Sequence, residues 1–137
     1  MTRYQKRISG PMLDRIDIHI EVPPVPYKQL TGQPNGTSSA TIREQVLKAR
    51  AIQYERNGGA LKRNALLSGR ELDKYAPMDD GAKDLVKQAM SELNLSARAY
   101  DKIRRVARTL ADLDASEPIT MQHAAEAISY RLLDRGR

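Results

Sequence analysis

The stretch SARAYDKIRRVARTLADL, residues 96–113, carries five apolar residues at helical spacing: Ile103, Val106, Ala107, Leu110 and Leu113. Positions three or four residues apart lie on one face of an α-helix, so the pattern predicts a long amphipathic helix. Ser96 is the predicted N-cap, because a serine hydroxyl accepts a hydrogen bond from a backbone N–H of the first turn. The length of this helix indicates that it belongs to the core.

Capping residues predict four further helices around this one. They begin at the following positions: Ser38, Ser39 or Thr41; Ser68, in a capping box with Glu71; Asp79 or Asp80; and Thr120. In the first of them, the predicted apolar face consists of Ile42, Val46, Ala49 and Tyr54. Aromatic content of only 4% also favours packed helices over a β-sandwich. We therefore predict a mainly α-helical fold.

Residues 16–22, IDIHIEV, alternate isoleucine or valine with polar residues, which is typical of a β-strand. A lone strand cannot pair its own backbone groups or bury its apolar face, and no second strand is evident in the sequence. We expect this orphan strand to belong to a larger α/β core that is truncated here. Residues 23–38 are rich in proline and glycine and are predicted to form a linker.

Composition restricts the classes of partner and compartment. The net charge of +6 and pI near 9.7 suit a polyanionic partner, although 17 acidic residues among 23 basic ones also fit a solvated helix surface. The absence of cysteine excludes disulfides and thiolate metal sites. No apolar run reaches the roughly 18 residues that span a bilayer, so we expect a cytoplasmic protein without a membrane partner.

Motifs of a self-sufficient enzyme are missing from the sequence. It contains no GxxxxGK[ST] phosphate loop, no recognisable catalytic triad, and no His or carboxylate cluster at metal-ligand spacing. His19 and His123 are expected at the surface. Arg15 stands between a short helix or turn and the predicted strand, where a rigid edge can aim a guanidinium at a phosphoryl group. The alternative for Arg15 is a local ion pair with Asp14 or Asp17.

Five segments resemble the magnesium-chelatase-like AAA+ proteins of the ComM/YifB type: RISGPMLDRIDIHIEV (7–22), SSATIREQVLKARAIQYER (38–56), NALLSGRELDKY (64–75), LNLSARAYDKIRRVARTLADLD (93–114) and ITMQHAAEAISYR (119–131). MLDRIDIH and LSARAYDKIRRVARTLA more distantly resemble minichromosome maintenance helicases. The resemblance implies three regions: the C-terminal end of an AAA+ core with the arginine-finger turn and last strand (1–26), a linker (27–37), and a helical-bundle lid of the magnesium chelatase C-terminal type (38–137).

The resemblance also implies roles for two arginines. Arg15 matches the arginine finger, which reaches the ATP bound by the adjacent subunit of a ring, and Arg98 matches the sensor-2 arginine of the lid. Both would bind phosphates. Arg98 also follows a predicted N-cap, where the positive end of the helix dipole disfavours a cation unless an anion is near. Without the resemblance, Arg98 is predicted to be an ordinary exposed helix residue.

The implied parent is a hexameric AAA+ motor that uses ATP and Mg²⁺ to remodel DNA, with branch migration in competence as the implied task. The Walker A and B motifs of that family are missing from these residues, so we expect the C-terminal fragment alone to be inactive and to hold no cofactor.

Three alternatives stay open at this point. The first is a freestanding DNA-binding helix-turn-helix formed by residues 79–93 and 96–113, whose second helix carries Arg98, Lys102, Arg104, Arg105 and Arg108. The second is a structural oligomerisation domain. The third is a motor subunit of a metal chelatase.

Overall fold

The computed structural model describes residues 9–33, 35–59 and 61–131. Within these ranges the chain forms a short 3₁₀ helix at Asn64–Leu66 and seven α-helices: α1 Gly10–Arg15, α2 Tyr27–Thr31, α3 Ser39–Arg56, α4 Gly69–Tyr75, α5 Asp80–Glu92, α6 Ala97–Leu113 and α7 Met121–Ser129. The prediction of a mainly α-helical fold is confirmed. Among the described residues, no helix combines the length and the apolar character that crossing a membrane requires.

The central helix of the core is α6. It packs against α3, α4 and α7, and α5 packs against α7. Fully buried alanines on these helices, such as Ala107 and Ala124, allow close approach of the backbones. Larger side chains that are at most 2% exposed fill the space between them: Leu67, Leu72, Val86, Ile103 and Ile119. Burying one such side chain contributes about 1.5–3 kcal/mol.

The helix starts follow the capping signals of the sequence. Ser38 caps α3 and Asp79 caps α5, which settles the two starts that had alternatives. The capping box of α4 is present, because the Glu71 backbone N–H donates to Ser68 Oγ at 3.2 Å and the Ser68 N–H donates to Glu71 Oε1 at 3.0 Å. Ser96 caps α6. These contacts are local, so the sequence was sufficient to predict them.

Residues 16–22 differ from the predicted strand. They contain one isolated parallel bridge, between His19 and Arg131, because no second strand among the described residues pairs with them. Ile20 and Val22 are consequently 64% and 75% exposed. His19 is buried, so the prediction of a surface position is wrong. Its ring faces α1, where Nε2 lies 3.1 Å from the carbonyl oxygen of Leu13.

His123 is also buried, contrary to the prediction of a surface position. Its Nδ1 accepts a hydrogen bond from the backbone N–H of Thr120 at 3.1 Å, and its Nε2 lies 2.7 Å from Asp114 Oδ2. The ring therefore helps to cap the start of α7 and ties it to the end of α6. This arrangement uses both ring nitrogens for structure.

The first half of α3 lies outside the core. Residues 39–48 are exposed, and Ala49 is the first buried residue of the helix. Ile42 and Val46, which were predicted to face a core, are 48% and 38% exposed, because α3 contributes buried side chains only in its second half. The short helix α2 lies within the predicted linker and buries none of its residues.

Candidate functional site

Arg15 is the last residue of α1, a six-residue helix that packs against α6. Ser9 Oγ accepts a hydrogen bond from the Met12 backbone N–H at 3.2 Å, and the Leu13 side chain is buried. The Arg15 side chain is exposed and has no ion-pair or hydrogen-bond partner among the described residues. The turn is therefore anchored while its guanidinium faces solvent.

The two carboxylates considered as local partners of Arg15 are engaged elsewhere. Asp17 forms an ion pair with Lys102 of α6, and Asp14 Oδ1 lies 4.0 Å from Nη2 of Arg131. Neither carboxylate is paired with Arg15 in the described part of the chain. The Arg15 guanidinium consequently retains its fork of donors for an outside acceptor.

Arg98 is the second residue of α6. The helix start is fixed because Ser96 Oγ accepts from the Ala99 backbone N–H at 3.1 Å and the Ala99 side chain is buried. Arg98 itself is exposed and lacks a partner within the ranges that the structure describes. The first-turn backbone N–H groups carry partial positive charge, so a cation here is stabilised by an anion placed between them.

Two further cations of α6 bind acceptors on other segments, and one of them, Arg104, also binds an acceptor on α6 itself. Arg104 is 6% exposed, and its Nη1 and Nη2 donate to Asp73 Oδ1 at 2.6 Å and Asp101 Oδ1 at 2.8 Å. Burial alone would lower the pKa of Arg104, but the hydrogen bonds to Asp101 and Asp73 outweigh it and raise that pKa. Arg105 donates from Nε and Nη2 to the Leu67 carbonyl at 3.0 Å and 2.9 Å.

Arg108 is 1% exposed and binds the loop after α6. Its Nη1 donates to the Glu117 carbonyl and its Nη2 to the Ser116 carbonyl, both at 2.7 Å. Burial lowers the pKa of Arg108, and the Asp112 carboxylate partly offsets this. Since Arg104 and Arg108 are buried, they cannot follow a nucleic-acid backbone. The helix-turn-helix alternative thus loses two of the five cations on which it depended.

A buried polar network fixes α6 against α3. The Asp112 carboxylate accepts hydrogen bonds from Arg56 Nη1 at 2.6 Å and Nη2 at 3.0 Å, from Asn64 Nδ2 at 2.9 Å and from Arg108 Nε at 3.2 Å. The Asp112 side chain has no exposed surface. Four donors on one carboxylate satisfy its buried charge, which otherwise carries a large desolvation cost. The network therefore sets the position of α6, the helix that carries Arg98 in its first turn.

The ion pair between Asp17 and Lys102 places the Arg15 turn beside α6. Asp17 follows Arg15 by two residues, and Lys102 follows Arg98 by about one helical turn. The structure thus brings the two predicted site residues onto neighbouring segments. Their guanidinium groups share no partner within the described residues.

The two cations are presented at open surface. An apolar groove of about 460 Å³ lies between residues 17–20 and α6 and is lined by Ile18, Ile20 and Leu110 among others, but neither Arg15 nor Arg98 lines it. The described residues contain no group of three or more His, Cys, Asp or Glu that could hold a metal ion. The arrangement suits an anionic ligand that is bound mainly by another domain or another subunit.

Sequence reasoning missed the structural roles of Asp112 and Arg131. The spacing of Arg108 and Asp112, four residues apart on one helix, is a usable signal for an ion pair. Arg131 has no such local signal, because its acceptor on Ile16 is 115 residues away in the chain.

A family model described as magnesium chelatase, subunit ChlI, C-terminal, matches residues 36–131, which is more than half of the chain. The chain belongs to the magnesium chelatase ChlI C-terminal family. A second model, described as magnesium chelatase, subunit ChlI, matches residues 1–30. In this family member, Arg98 therefore lies in the C-terminal match and Arg15 in the other.

Several relatives match this chain over almost its entire length. Competence protein ComM of Haemophilus influenzae is 44% identical over 135 residues, which is 97% of this chain and 26% of the relative. YifB of Salmonella typhimurium is 40% identical over 134 residues, with the same two shares. The chain thus spans about a quarter of the length of these relatives, and its resemblance to the ComM/YifB type is confirmed.

Proposed function

We propose that this member of the magnesium chelatase ChlI C-terminal family works as part of a ring-forming AAA+ ATPase and supplies two cations to nucleotide phosphates. Arg15 is the arginine finger for ATP on the neighbouring subunit, and Arg98 is the sensor-2 arginine of a helical lid. The observation that carries the proposal is the exposure of both arginines on segments whose backbones are anchored. Arg15 and Arg98 are exposed without partners in the described part of the chain, whereas Arg104 and Arg108 are buried in ion pairs and carbonyl contacts.

The chemistry of the guanidinium group supports this role. Phosphoryl transfer spreads negative charge over the oxygens of the γ-phosphate, and a planar, permanently charged donor stabilises that charge. By analogy with GTPases, an arginine finger accelerates hydrolysis by roughly 10³- to 10⁵-fold, which is about 4 to 7 kcal/mol. Arg98 lies at the N-terminal end of α6, where the backbone N–H groups of the first turn also favour a phosphate ligand.

The nucleotide and its Mg²⁺ would be held mainly by residues outside these 137. The sequence has no phosphate loop, and the described residues have no acidic cluster for a metal, but the two exposed guanidinium groups fit phosphate oxygens. When bound, Mg²⁺ neutralises phosphate charge, and Arg15 and Arg98 orient the phosphate oxygens and bind the remaining charge.

For the work that ATP drives, we propose remodelling of DNA, with branch migration in competence as the specific task. The name of the Haemophilus influenzae relative, a competence protein, supports this choice. The description of the matching family as a magnesium chelatase subunit favours metal insertion as the second candidate. Stimulation of ATP turnover by branched DNA in the full-length protein supports the first candidate. Magnesium insertion into a porphyrin without such stimulation supports the second.

The test of the arginine-finger role is Arg15→Ala in the full-length protein. We expect ATP turnover to fall at least about 10³-fold while nucleotide affinity stays within about twofold of the wild-type value, because a finger in trans acts on the transition state. Arg43→Ala is the matched control, since Arg43 is an exposed cation on α3. Wild-type turnover in Arg15→Ala contradicts the proposal, as does an equal loss in both variants.

A further inference from the structure

Arg131, two residues after the last residue of α7, is an arginine with a 1% exposed side chain. Its guanidinium points into the turn that carries Arg15. Nη2 donates to the Leu13 carbonyl at 3.3 Å, and Nη1 donates to the carbonyls of Ile16 and, at 3.4 Å, Asp17. These acceptors lie two residues before Arg15 and one and two residues after it. One side chain therefore contacts the backbone on both sides of Arg15.

His19 closes the same turn from the other direction. Its backbone N–H donates to the Tyr130 carbonyl at 2.6 Å, and its Nε2 donates to the Leu13 carbonyl at 3.1 Å. The carbonyl can only accept, so Nε2 carries the proton. Both Arg131 and His19 thus attach residues 13–19 to the end of α7. The attachment consists of polar contacts among buried groups, since His19 is 3% exposed.

Burial of a guanidinium group has an energetic cost. Desolvating its charge opposes folding, and an apolar side chain of similar volume often stabilises a protein as well or better. What the guanidinium provides instead is a rigid fork that binds several carbonyls in a fixed geometry. The Leu13 carbonyl already accepts from the Ile16 backbone N–H at 3.2 Å, and Arg131 supplies further donors to it and to the carbonyls of Ile16 and Asp17, which follow the last residue of α1.

We propose that Arg131 is a positioning residue for Arg15. Its guanidinium acts as a clamp, because it attaches the backbone of the finger turn, residues 13–17, to the end of α7 and so sets the direction in which Arg15 projects. The role rests on the proposed function of Arg15. Because α7 packs on α5 and α6, the clamp joins the finger to the helical body, so that the two move together. Arg131 does not touch the phosphates and acts only through the direction in which Arg15 projects.

The experiment combines two measurements on the full-length protein with Arg131→Gln and Arg131→Lys. Hydrogen exchange reports on the amides of residues 13–19, including the His19 N–H, and steady-state kinetics report turnover separately from nucleotide affinity. Arg105→Gln is the matched control, because Arg105 also donates to a backbone carbonyl, that of Leu67, without contacting the finger turn.

We expect Arg131→Gln to accelerate exchange in residues 13–19 at least about tenfold and to leave α5 and α6 unchanged, which marks a local opening. Turnover falls roughly 10- to 100-fold from misplacement of Arg15, with nucleotide affinity unchanged. Arg131→Lys restores part of both, because an ammonium binds one or two of the carbonyls. Arg105→Gln changes neither.

Unchanged exchange in residues 13–19 overturns the clamp, and unchanged turnover despite faster exchange overturns the positioning role. Equal acceleration throughout the helices shows a general stability role and also overturns the proposal. If Arg131→Gln does not fold, Arg131→Lys decides by the same two measurements. Failure of the proposed arginine-finger role gives a different result from failure of the clamp. In that case Arg15→Ala retains turnover, whereas the hydrogen-exchange result for Arg131→Gln does not depend on the role of Arg15.

Discussion

Replacing Asp112 with asparagine removes a buried negative charge that binds donors from α3, the 3₁₀ helix and α6. The Asp112 carboxylate accepts four hydrogen bonds, two from Arg56 and one each from Asn64 and Arg108. An asparagine keeps one oxygen and turns an NH₂ group toward donors that have lost their acceptor. Arg108, with a 2% exposed side chain, is then left without its carboxylate.

Removing one partner of a buried ion pair costs about 3–5 kcal/mol. We expect a value at the lower end of this range, about 3 kcal/mol. The Arg56 side chain is 22% exposed, so water screens part of its interaction with Asp112. Domains of this size have about 5–15 kcal/mol of stability in total. At about 4 °C per kcal/mol for a domain near 100 residues, the midpoint of thermal unfolding falls by about 12 °C.

Urea unfolding followed by circular dichroism measures the free energy of unfolding of the wild type and Asp112→Asn. The matched control is Asp84→Asn, since Asp84 is exposed on α5, and we expect a change within about 0.5 kcal/mol. In a double-mutant cycle with Arg56→Met, the combined loss is smaller than the sum of the single losses. Removal of one partner of a buried ion pair should cost several kcal/mol. A loss below about 1 kcal/mol in Asp112→Asn therefore refutes the reasoning that the network fixes α6.

Two further predictions concern local contacts. The hydrogen bond from Lys62 lowers the pKa of Glu71 from 4.5 to about 2, so its stabilising contribution is complete above pH 4.5 and is lost as the pH falls toward 2. An NMR titration of the Glu71 carboxyl group checks this, and Lys62→Met should return the pKa toward 4.5. Ser96→Ala removes the cap of α6 and should lower the free energy of unfolding by about 1 kcal/mol, whereas Ser96→Gly should cost only a few tenths, as urea unfolding of both variants will show.

The sequence predicted features that depend on neighbours within four residues. The capping box of Ser68 and Glu71, the cap at Ser96 and most of the apolar face of α6 are of this kind. Leu113, which was predicted to belong to that face, is 47% exposed. Their partners are fixed by helical geometry, so spacing alone identifies them. Arg15 and Arg98 were singled out by position and resemblance, and the structure adds that both are exposed.

Features that depend on distant partners were predicted poorly. Arg104 and Arg108 look like a solvated basic face in the sequence, because their acceptors, Asp73 and the Glu117 carbonyl, come from other segments. His19 was assigned to the surface from strand alternation, which assumes neighbouring strands that the described residues do not provide. Its burial depends on Arg131 and Leu13, and no local pattern reports such a contact.

The most direct test of the arginine-finger role is ATP turnover in mixed rings of the full-length protein. One subunit carries Arg15→Ala with an intact nucleotide site, and the other has an inactivated phosphate loop and an intact Arg15. Each is inactive alone, and mixing them should restore turnover, because Arg15 of one subunit acts on ATP held by the next. If the mixture stays as inactive as the separate variants although mixed rings form, Arg15 does not act in trans and the proposed role is contradicted.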